Sequence, residues 1–127
     1  MTLGIKLNKD CAVIPKQNGD TNVYDLISAS DHANLITKGT ITTVETGISI
    51  KLPSKDYVAI LCSKCKLTKK GIILLNAADL ITREHGDDDI ELYFTNITDE
   101  DYYFRAGDVV AQFIVLKAEE LRFYSDK

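Results

Sequence analysis

Short segments rich in β-branched and aromatic residues recur along the chain, separated by clusters of Gly, Asn, Asp and Lys. No window keeps a helical hydrophobic period for long, so the pattern predicts strands rather than helices. The spacing predicts about ten strands, more than one open sheet in a chain of 127 residues accommodates without curling. We therefore expect an all-β fold closed into a jelly-roll-like barrel.

Four strand segments differ in how they distribute apolar side chains. Residues 48–52 and 90–95 alternate apolar with polar residues, which predicts one buried and one solvent-facing side for each strand. Residues 57–61 and 109–116 are apolar on both faces. One small barrel cannot bury both of these segments, so the pattern predicts that copies of the chain assemble. Turns are predicted at residues 19–20, 38–39, 53–56, 85–87 and 106–108, and a hairpin tip at residues 76–80.

Length and charge exclude several classes of protein. The chain has 127 residues, 45% of them hydrophobic, which predicts a single domain over residues 1–127. Its 15 Lys and Arg against 19 Asp and Glu give a net charge of −4, which does not favour a nucleic-acid partner. Residues 1–7 lack the apolar run of a signal peptide, and the longest apolar run, within residues 71–78, is too short to cross a bilayer. We expect a cytoplasmic protein without a membrane partner.

Three cysteines are present, and an odd number without a secretion signal indicates reduced thiols. Cys62 and Cys65 have CxxC spacing, whereas a zinc site needs about four ligands. The other soft candidate ligands, Cys11, His32 and His85, are not paired at a ligand spacing. The sequence therefore favours two cysteines at the end of a strand, and a metal or redox role for the pair stays open.

One glutamine lies in the apolar segment of residues 106–114, Ala-Gly-Asp-Val-Val-Ala-Gln-Phe-Ile. Upstream lie residues 71–76, Gly-Ile-Ile-Leu-Leu-Asn, and residues 24–29, Tyr-Asp-Leu-Ile-Ser-Ala. In order and spacing these segments resemble the dUTPase family, trimeric all-β enzymes that split dUTP into dUMP and pyrophosphate. The resemblance implies a distorted jelly-roll barrel, a homotrimer with nucleotide sites between subunits, and Mg²⁺ to bridge the triphosphate if the chain is catalytic. A small, diverged member of this family suits a phage or virus.

Two segments resemble the first and fourth family motifs. Asp25 falls on an aspartate close to the metal–triphosphate end of the family site, which makes it the candidate metal ligand as well as a nucleotide contact. Gln112 falls on a glutamine that contacts the phosphate chain, and Val109 stands where an arginine is usual. The alternatives are a solvated Asp25 after a turn and a Gln112 that bonds a neighbouring backbone.

The second motif lies over residues 63–67. Lys64 and Cys65 occupy the positions of an arginine and a serine that grip phosphate, and a lysine keeps the charge without the planar fork. Lys66, Lys69 and Lys70 add charge, so the segment predicts either a cationic patch for a phosphate or acidic partner, or an exposed loop kept soluble by lysines.

The third motif departs most from the family pattern. Asn76 falls on an asparagine that reads the uracil edge, and His85 on a tyrosine that packs against the deoxyribose. Thr82 occupies the position of the aspartate that orients the attacking water, and losing a positioned general base costs about 10²–10⁴-fold in rate. Asp79 and Glu84 are the candidate substitutes for that carboxylate, each displaced from the required position.

The family's glycine-rich arm has no counterpart in residues 118–127, where Arg122 and Phe123 could imitate its functional pair and a frayed end to the last strand is the favoured prediction. The related dCTP deaminases place a catalytic glutamate where this chain has Tyr93, so deamination is not predicted.

The favoured function is a trimer that holds a nucleotide, a phosphate-bearing ligand or a protein partner without efficient hydrolysis. An active dUTP diphosphatase and a purely structural trimer are the alternatives.

Overall fold

The computed structural model of the chain describes residues 1–30 and 33–127, and His32 lies outside them. Within this part the chain forms twelve strands, one short α-helix and one 3₁₀ turn, as the sequence pattern predicts for an all-β protein. The elements are β1 Gly4–Leu7, β2 Lys16–Gln17, β3 Tyr24–Ile27, β4 Asn34–Ile36, β5 Thr42–Glu45, β6 Ile48–Lys51, β7 Tyr57–Cys62, α1 Cys65–Lys69, β8 Ile72–Leu74, β9 Leu80–Ile81, the 3₁₀ turn Arg83–His85, β10 Glu91–Asn96, β11 Tyr102–Phe104 and β12 Val109–Lys117. None of the helices in these residues is long and apolar enough to span a membrane.

The strands form one five-stranded sheet, one three-stranded sheet and two pairs. The five-stranded sheet has the order β2-β3-β12-β7-β9, the three-stranded sheet has the order β5-β10-β8, and the pairs are β1-β6 and β11-β4. Every strand pairing is antiparallel. Since β12 has β3 on one side and β7 on the other, it forms the middle of the larger sheet.

Side chains from the inner faces of these sheets share one core. Phe94 of β10 and Phe104 of β11 are each 1% exposed, and their ring centroids lie 4.9 Å apart. Leu26, Val44 and Leu92 are fully buried in the same cluster. A tilted aromatic contact of this kind adds about 0.5–1.5 kcal/mol beyond the burial of its area.

The predicted alternation is confirmed in β10 and fails at one residue of β6. Leu92 and Phe94 are buried while Tyr93 is exposed, as an inner and an outer face require. Ser49, predicted on a solvent-facing side, is fully buried instead. The neighbours of Ser49 on that face belong to β1 and the residue after it: Lys6 pairs with Ser49, so their side chains share a face, and Asn8 Nδ2 lies 3.5 Å from Ser49 Oγ.

The two segments that are apolar on both faces lie side by side as β7 and β12. The inward residues Ala59, Leu61 and Phe113 are buried, but on the outward face Ile60 and Ile114 are only half-buried, and Leu116 is 47% exposed. A single chain therefore covers one face of this strand pair well and the other face in part.

β12 contains a register shift against β3. Val109 pairs with Ile27 and Ala111 pairs with Leu26, so Val110 is an extra residue between the two pairings. Such a β-bulge places two residues of one strand opposite one residue of its partner. Regular pairing with β3 resumes at Ala111 and ends at Phe113.

The lysine-rich segment is not the loop that the sequence predicts. Cys65–Lys69 forms the helix α1, and Lys64 directly before it is half-buried, whereas Lys66 is exposed. Leu67, 6% exposed, fixes the helix to the core. Gly71 then turns the chain into β8 with a positive φ of 79°. The hairpin tip predicted at residues 76–80 is wrong: residues 75–78 form a turn, but β8 pairs with β10 and β9 pairs with β7, so this turn joins two different sheets.

Candidate functional site

The candidate residues of the first and fourth motifs are in direct contact. β3 and β12 pair Asp25 with Gln112, and Gln112 Nε2 donates a hydrogen bond of 2.9 Å to Asp25 Oδ1. Asn18 Nδ2 donates to the same oxygen at 3.2 Å. Gln112 therefore bonds a carboxylate rather than the neighbouring backbone of the alternative prediction, and both described bonds of Asp25 end on one oxygen.

The lysines of the second motif line a cleft together with the turn before β12. This lysine cleft has a volume of about 360 Å³. Its walls are formed by Lys64, Lys66, Leu67, Lys70, Tyr102, Phe104, Gly107, Asp108 and Val109. Lys70 Nζ lies 5.6 Å from the centre of the Tyr102 ring, within the range of a cation–π contact. None of the three lysines forms an ion pair with the described residues.

The bulge relates the lysine cleft to the Asp25–Gln112 pair. Side chains of paired residues in an antiparallel ladder lie on the same face, and residues two apart in one strand share a face. Val109 pairs with Ile27, and Gln112 pairs with Asp25. Because Asp25 and Ile27 are two apart, Val109 of the lysine cleft and Gln112 face the same side of the sheet.

The third motif forms a separate and acidic cleft. This hairpin cleft has a volume of about 170 Å³. It is lined by Leu61, Asn76, Asp79, Leu80, Ile81, His85, Asp88, Asp89, Ile90, Glu91 and Tyr93. Four carboxylates and no lysine or arginine line it, so a phosphate group would meet repulsion here and attraction in the lysine cleft.

Asn76 holds the turn after β8 against β10. Its Nδ2 donates to the carbonyl of Glu91 at 3.0 Å, and its Oδ1 accepts from the backbone N–H of Tyr93 at 3.1 Å. These bonds continue the pairing of β8 with β10 past Leu74 and leave Asn76 half-buried in the wall of the hairpin cleft. A contact between Asn76 and a base stays a prediction.

Thr82 and His85 form a local pair at the 3₁₀ turn. The backbone N–H of Thr82 donates to His85 Nδ1 at 2.9 Å, and Thr82 Oγ1 lies 3.2 Å from the same nitrogen. A nitrogen that accepts from a backbone N–H carries no proton, so the ring is the tautomer with the proton on Nε2. The Thr82 hydroxyl is thus directed at its own turn.

The candidate carboxylates of the third motif are placed differently. Asp79 lines the hairpin cleft, and its backbone carbonyl accepts a hydrogen bond of 3.1 Å from the N–H of Leu61. Glu84 lies within the 3₁₀ turn and is not in the cleft wall. In the second motif, Cys65 begins α1 and Lys69 ends it, and neither lines the lysine cleft.

Sequence reasoning missed the aromatic wall of the lysine cleft and the acidic wall of the hairpin cleft. Tyr102 is on β11, remote in sequence from Lys70, whose Nζ lies over its ring. No local pattern assigns a role to Asp88 or Asp89, and Glu91 is predicted only on the solvent-facing side of a strand, yet all three line this cleft. The acidic run was visible in the sequence, but its position on one wall depends on the fold.

The pKa of Asp87, which lies between the 3₁₀ turn and β10, is shifted by two lysines. The hydrogen bond from Lys51, the charge of Lys51 and then that of Lys6 lower the pKa of the Asp87 carboxyl below its ordinary value. Lys6 is in β1 and Lys51 in β6, so these contacts join the segment before β10 to the β1-β6 pair.

Among residues 1–30 and 33–127 no group of three His, Cys, Asp or Glu side chains could hold a metal ion by itself. Mg²⁺ often needs only one or two carboxylates when substrate phosphates supply the rest, and the Oδ2 of Asp25 fits that need.

Comparison with known proteins identifies the family of the chain. The profile of the dUTPase family matches residues 9–126. The deoxyuridine 5′-triphosphate nucleotidohydrolase of Anaplasma marginale is 31% identical over 110 residues, which cover 86% of this chain and 71% of that protein. The enzyme of the same name from Rickettsia massiliae is 30% identical over 97 residues, covering 76% of this chain and 65% of that protein.

Solved structures show the same fold. A mutant dUTPase of phage phi11 of S. aureus, whose structure describes the coordination of a structural Mg(II) ion, superposes with a TM-score of 0.85 at 17% identity and covers 98% of this chain and 96% of its own. The dUTPase of Staphylococcus bacteriophage 80alpha superposes with a TM-score of 0.84 at 16% identity, covering 98% and 95%. The predicted jelly-roll barrel is confirmed, and the chain belongs to the dUTPase family.

Proposed function

We propose that this chain assembles as a trimer that binds a dUTP-like nucleotide between its subunits and hydrolyses it slowly. The proposal is carried by Thr82, which the resemblance aligns with the water-orienting aspartate and whose Oγ1 lies 3.2 Å from Nδ1 of His85. A threonine hydroxyl does not accept a proton from water near neutral pH, so the site lacks a general base at this position.

The charges of the two clefts support one orientation of the nucleotide. Lys64, Lys66 and Lys70 attract phosphate groups in the lysine cleft, while the carboxylates of the hairpin cleft repel them. The phosphate chain therefore lies in the lysine cleft, and the base and sugar lie in the hairpin cleft. In the proposed trimer the two clefts come from different subunits.

Asp25 and Gln112 serve the metal–phosphate end of this site. Asp25, whose carboxylate receives a hydrogen bond from Gln112, would hold a Mg²⁺ ion carried by the triphosphate, and the ion would supply charge neutralisation there. Gln112 fixes the orientation of the carboxylate. A cytoplasmic location and a protein partner are further parts of the proposal.

A working dUTP diphosphatase is the second candidate. It is supported by the names of the relatives from Anaplasma and Rickettsia and by Asp79, a carboxylate that lines the hairpin cleft within the third motif. Asp79 would replace the missing base from a displaced position, where a misplacement of about 1 Å can cost around 100-fold in rate.

Calorimetric titration with a nonhydrolysable dUTP analogue and Mg²⁺, together with a pyrophosphate-release assay with dUTP, separates the candidates. We expect saturable binding and a turnover well below the range typical of enzymes, roughly 1–10³ s⁻¹. Turnover within that range that disappears in Asp79→Asn supports the second candidate. Absence of binding at millimolar analogue leaves the purely structural trimer.

A further inference from the structure

A row of paired residues crosses the five-stranded sheet at the phosphate end of the candidate site. β2 pairs Lys16 with Asp25 of β3, and β12 pairs Gln112 with the same Asp25. On its other side, β12 pairs Gln112 with Cys62 of β7. Side chains of directly paired residues in antiparallel strands lie on the same face. We call these four residues the polar row, and Lys16 is the one that belongs to none of the motifs.

The polar row lies on the outward face of the sheet. Leu61 and Phe113, the next residues along β7 and β12, are 3% and 2% exposed and point into the core. Adjacent residues of a strand point to opposite faces. The three inner members of the row are accordingly half-buried, and Lys16 is exposed. The row therefore shares its face with Val109 of the lysine cleft.

The order of the strands places Lys16 and the lysine cleft on opposite flanks of the Asp25–Gln112 pair. β7 ends at Cys62, and the chain reaches Lys64 two residues later. Lys16 is at the other end of the row, on the edge strand β2. Neighbouring strands lie about 4.7–4.9 Å apart, so roughly 14 Å separate the backbones of Lys16 and Cys62. An anion at the Asp25–Gln112 pair therefore has a cationic group on each side.

The charge of Lys16 is not used within the described chain. Lys16 forms no ion pair with the described residues, although Asp25 is its direct neighbour in the ladder. Asp25 accepts hydrogen bonds at one oxygen from Gln112 at 2.9 Å and from Asn18 at 3.2 Å. The N–H of Asn18 donates to the carbonyl of Val23 at 2.9 Å and closes the turn between β2 and β3. The turn thus holds the carboxylate through Asn18, and the Lys16 ammonium can meet an anionic ligand on this face.

We propose that Lys16 binds a phosphate oxygen of a triphosphate ligand on the flank opposite the lysine cleft. The inference rests on the proposed function and adds to it a residue from outside the motifs. Because roughly 14 Å separate the two flanks, a single phosphate group in the lysine cleft does not extend to Lys16, whereas a triphosphate crosses the Asp25–Gln112 pair towards it. An edge lysine also discourages pairing with other sheets, and that role alone predicts no effect on a ligand.

Titration calorimetry with Mg²⁺ compares a nonhydrolysable dUTP analogue with dUMP on the full chain. Lys16→Gln should weaken binding of the analogue by about ten-fold, the loss of one hydrogen bond to a charged group, and binding of dUMP by less than about two-fold. Lys16→Arg keeps the charge and should bind both ligands within about three-fold of the parent chain. Equal weakening of both ligands by Lys16→Gln, or weakening of neither, overturns the proposal.

Two control variants separate the position of the charge from its amount. Lys16→Gln combined with Gln17→Lys keeps the net charge of −4 but moves the lysine to the opposite face of β2, and it should lose the analogue as Lys16→Gln does. Lys117→Gln removes an exposed lysine from the other face of the same sheet and should leave both ligands within about two-fold. A charge-swapped variant that melts and binds like the parent chain contradicts the role of Lys16.

Inorganic tripolyphosphate with Mg²⁺ distinguishes failure of this inference from failure of the proposed function. If the parent chain binds the dUTP analogue and Lys16→Gln binds it equally well, only the inference about Lys16 fails. If the parent chain does not bind the analogue, the proposed function fails, and tripolyphosphate then tests Lys16 without a nucleoside. Tripolyphosphate binding that weakens about ten-fold in Lys16→Gln supports the inference. Binding that does not change in this variant, or no binding by the parent chain, overturns it.

Discussion

At the scale of single residues, the proposal of slow hydrolysis depends on Thr82. Replacing Thr82 by Asp introduces a carboxylate at the position of the water-orienting group, and Asp also suits the residue before a 3₁₀ turn. We expect Thr82→Asp to raise the rate of pyrophosphate release by about 10²–10⁴-fold. Thr82→Asn is the matched control, because it has the same shape as Asp without a base. An equal response of the two variants contradicts the assignment.

Two lysines of α1 can distinguish the effect of a charge inside the lysine cleft from the effect of the net charge of the protein. Lys66 lines the lysine cleft and Lys69 does not, although both belong to the same helix and both are exposed. Lys66→Glu should weaken binding of the dUTP analogue by about ten-fold or more, and Lys69→Glu by less than about three-fold. Calorimetric titration at low salt measures both. Equal losses would mean that only the net charge matters, and the loop-solubility alternative would regain support.

Asp87 gives a pH prediction. Its pKa is lowered in the folded chain by Lys51 and Lys6, so the stabilising contribution is complete above the ordinary aspartate pKa of about 3.9 and is lost as the pH falls through the lower folded value. The contribution is small because Asp87 is exposed. An NMR titration should show that Lys51→Met raises the pKa of Asp87, whereas Lys38→Met, which breaks the pair with Asp99, leaves it unchanged. A pKa of Asp87 that does not respond to Lys51→Met contradicts the assigned cause.

At the scale of elements, the connection from α1 to β8 depends on Gly71. Its φ is 79°, and a Cβ at this position would lie 2.5 Å from Cγ2 of Thr98. Gly71→Ala should therefore cost about 1–2 kcal/mol for the left-handed backbone and a further 1–3 kcal/mol, roughly, for the overlap. Gly107→Ala is the control, since Gly107 has a φ of 88° with nothing within 4 Å. Chemical denaturation measures both, and equal losses of unfolding free energy would exclude the overlap.

The elements also show what the sequence could and could not predict. The alternation of β10 follows from a local pattern and was predicted, whereas the chain segment predicted as a hairpin tip at residues 76–80 joins two different sheets, a partner choice that local residues do not encode. The helix α1 has five residues and no side-chain cap, so it lacks the sequence signals by which a helix is predicted. The packing of Leu67 against the core stabilises it instead. The bond between Asp25 and Gln112 spans 87 positions and depends on strand register, which no local pattern encodes.

At the scale of the whole molecule, the outward faces of β7 and β12 remain half covered in one chain. Light scattering at micromolar concentration should give three times the mass of a single chain, because a strand pair with apolar residues on both faces needs a second layer. The mass should be independent of dUTP, since the predicted interface uses apolar strand faces. A monomer mass at that concentration contradicts the assembly.

Because of the bulge at Val110, the relative orientation of two site residues depends on whether the number of residues between them is odd or even. Val109 and Gln112 are an odd number of residues apart, and in a regular strand they would point to opposite faces. The one unpaired residue makes the count even, which is why both face the same side. Substituting Val110 by another apolar residue keeps this parity. Inserting or deleting a single residue between Asp108 and Gln112 changes this count by one. Val109 of the lysine cleft and Gln112 would then point to opposite faces of the sheet, although every chemical group is still present. This turn and strand should therefore tolerate changes of residue type far better than changes of length.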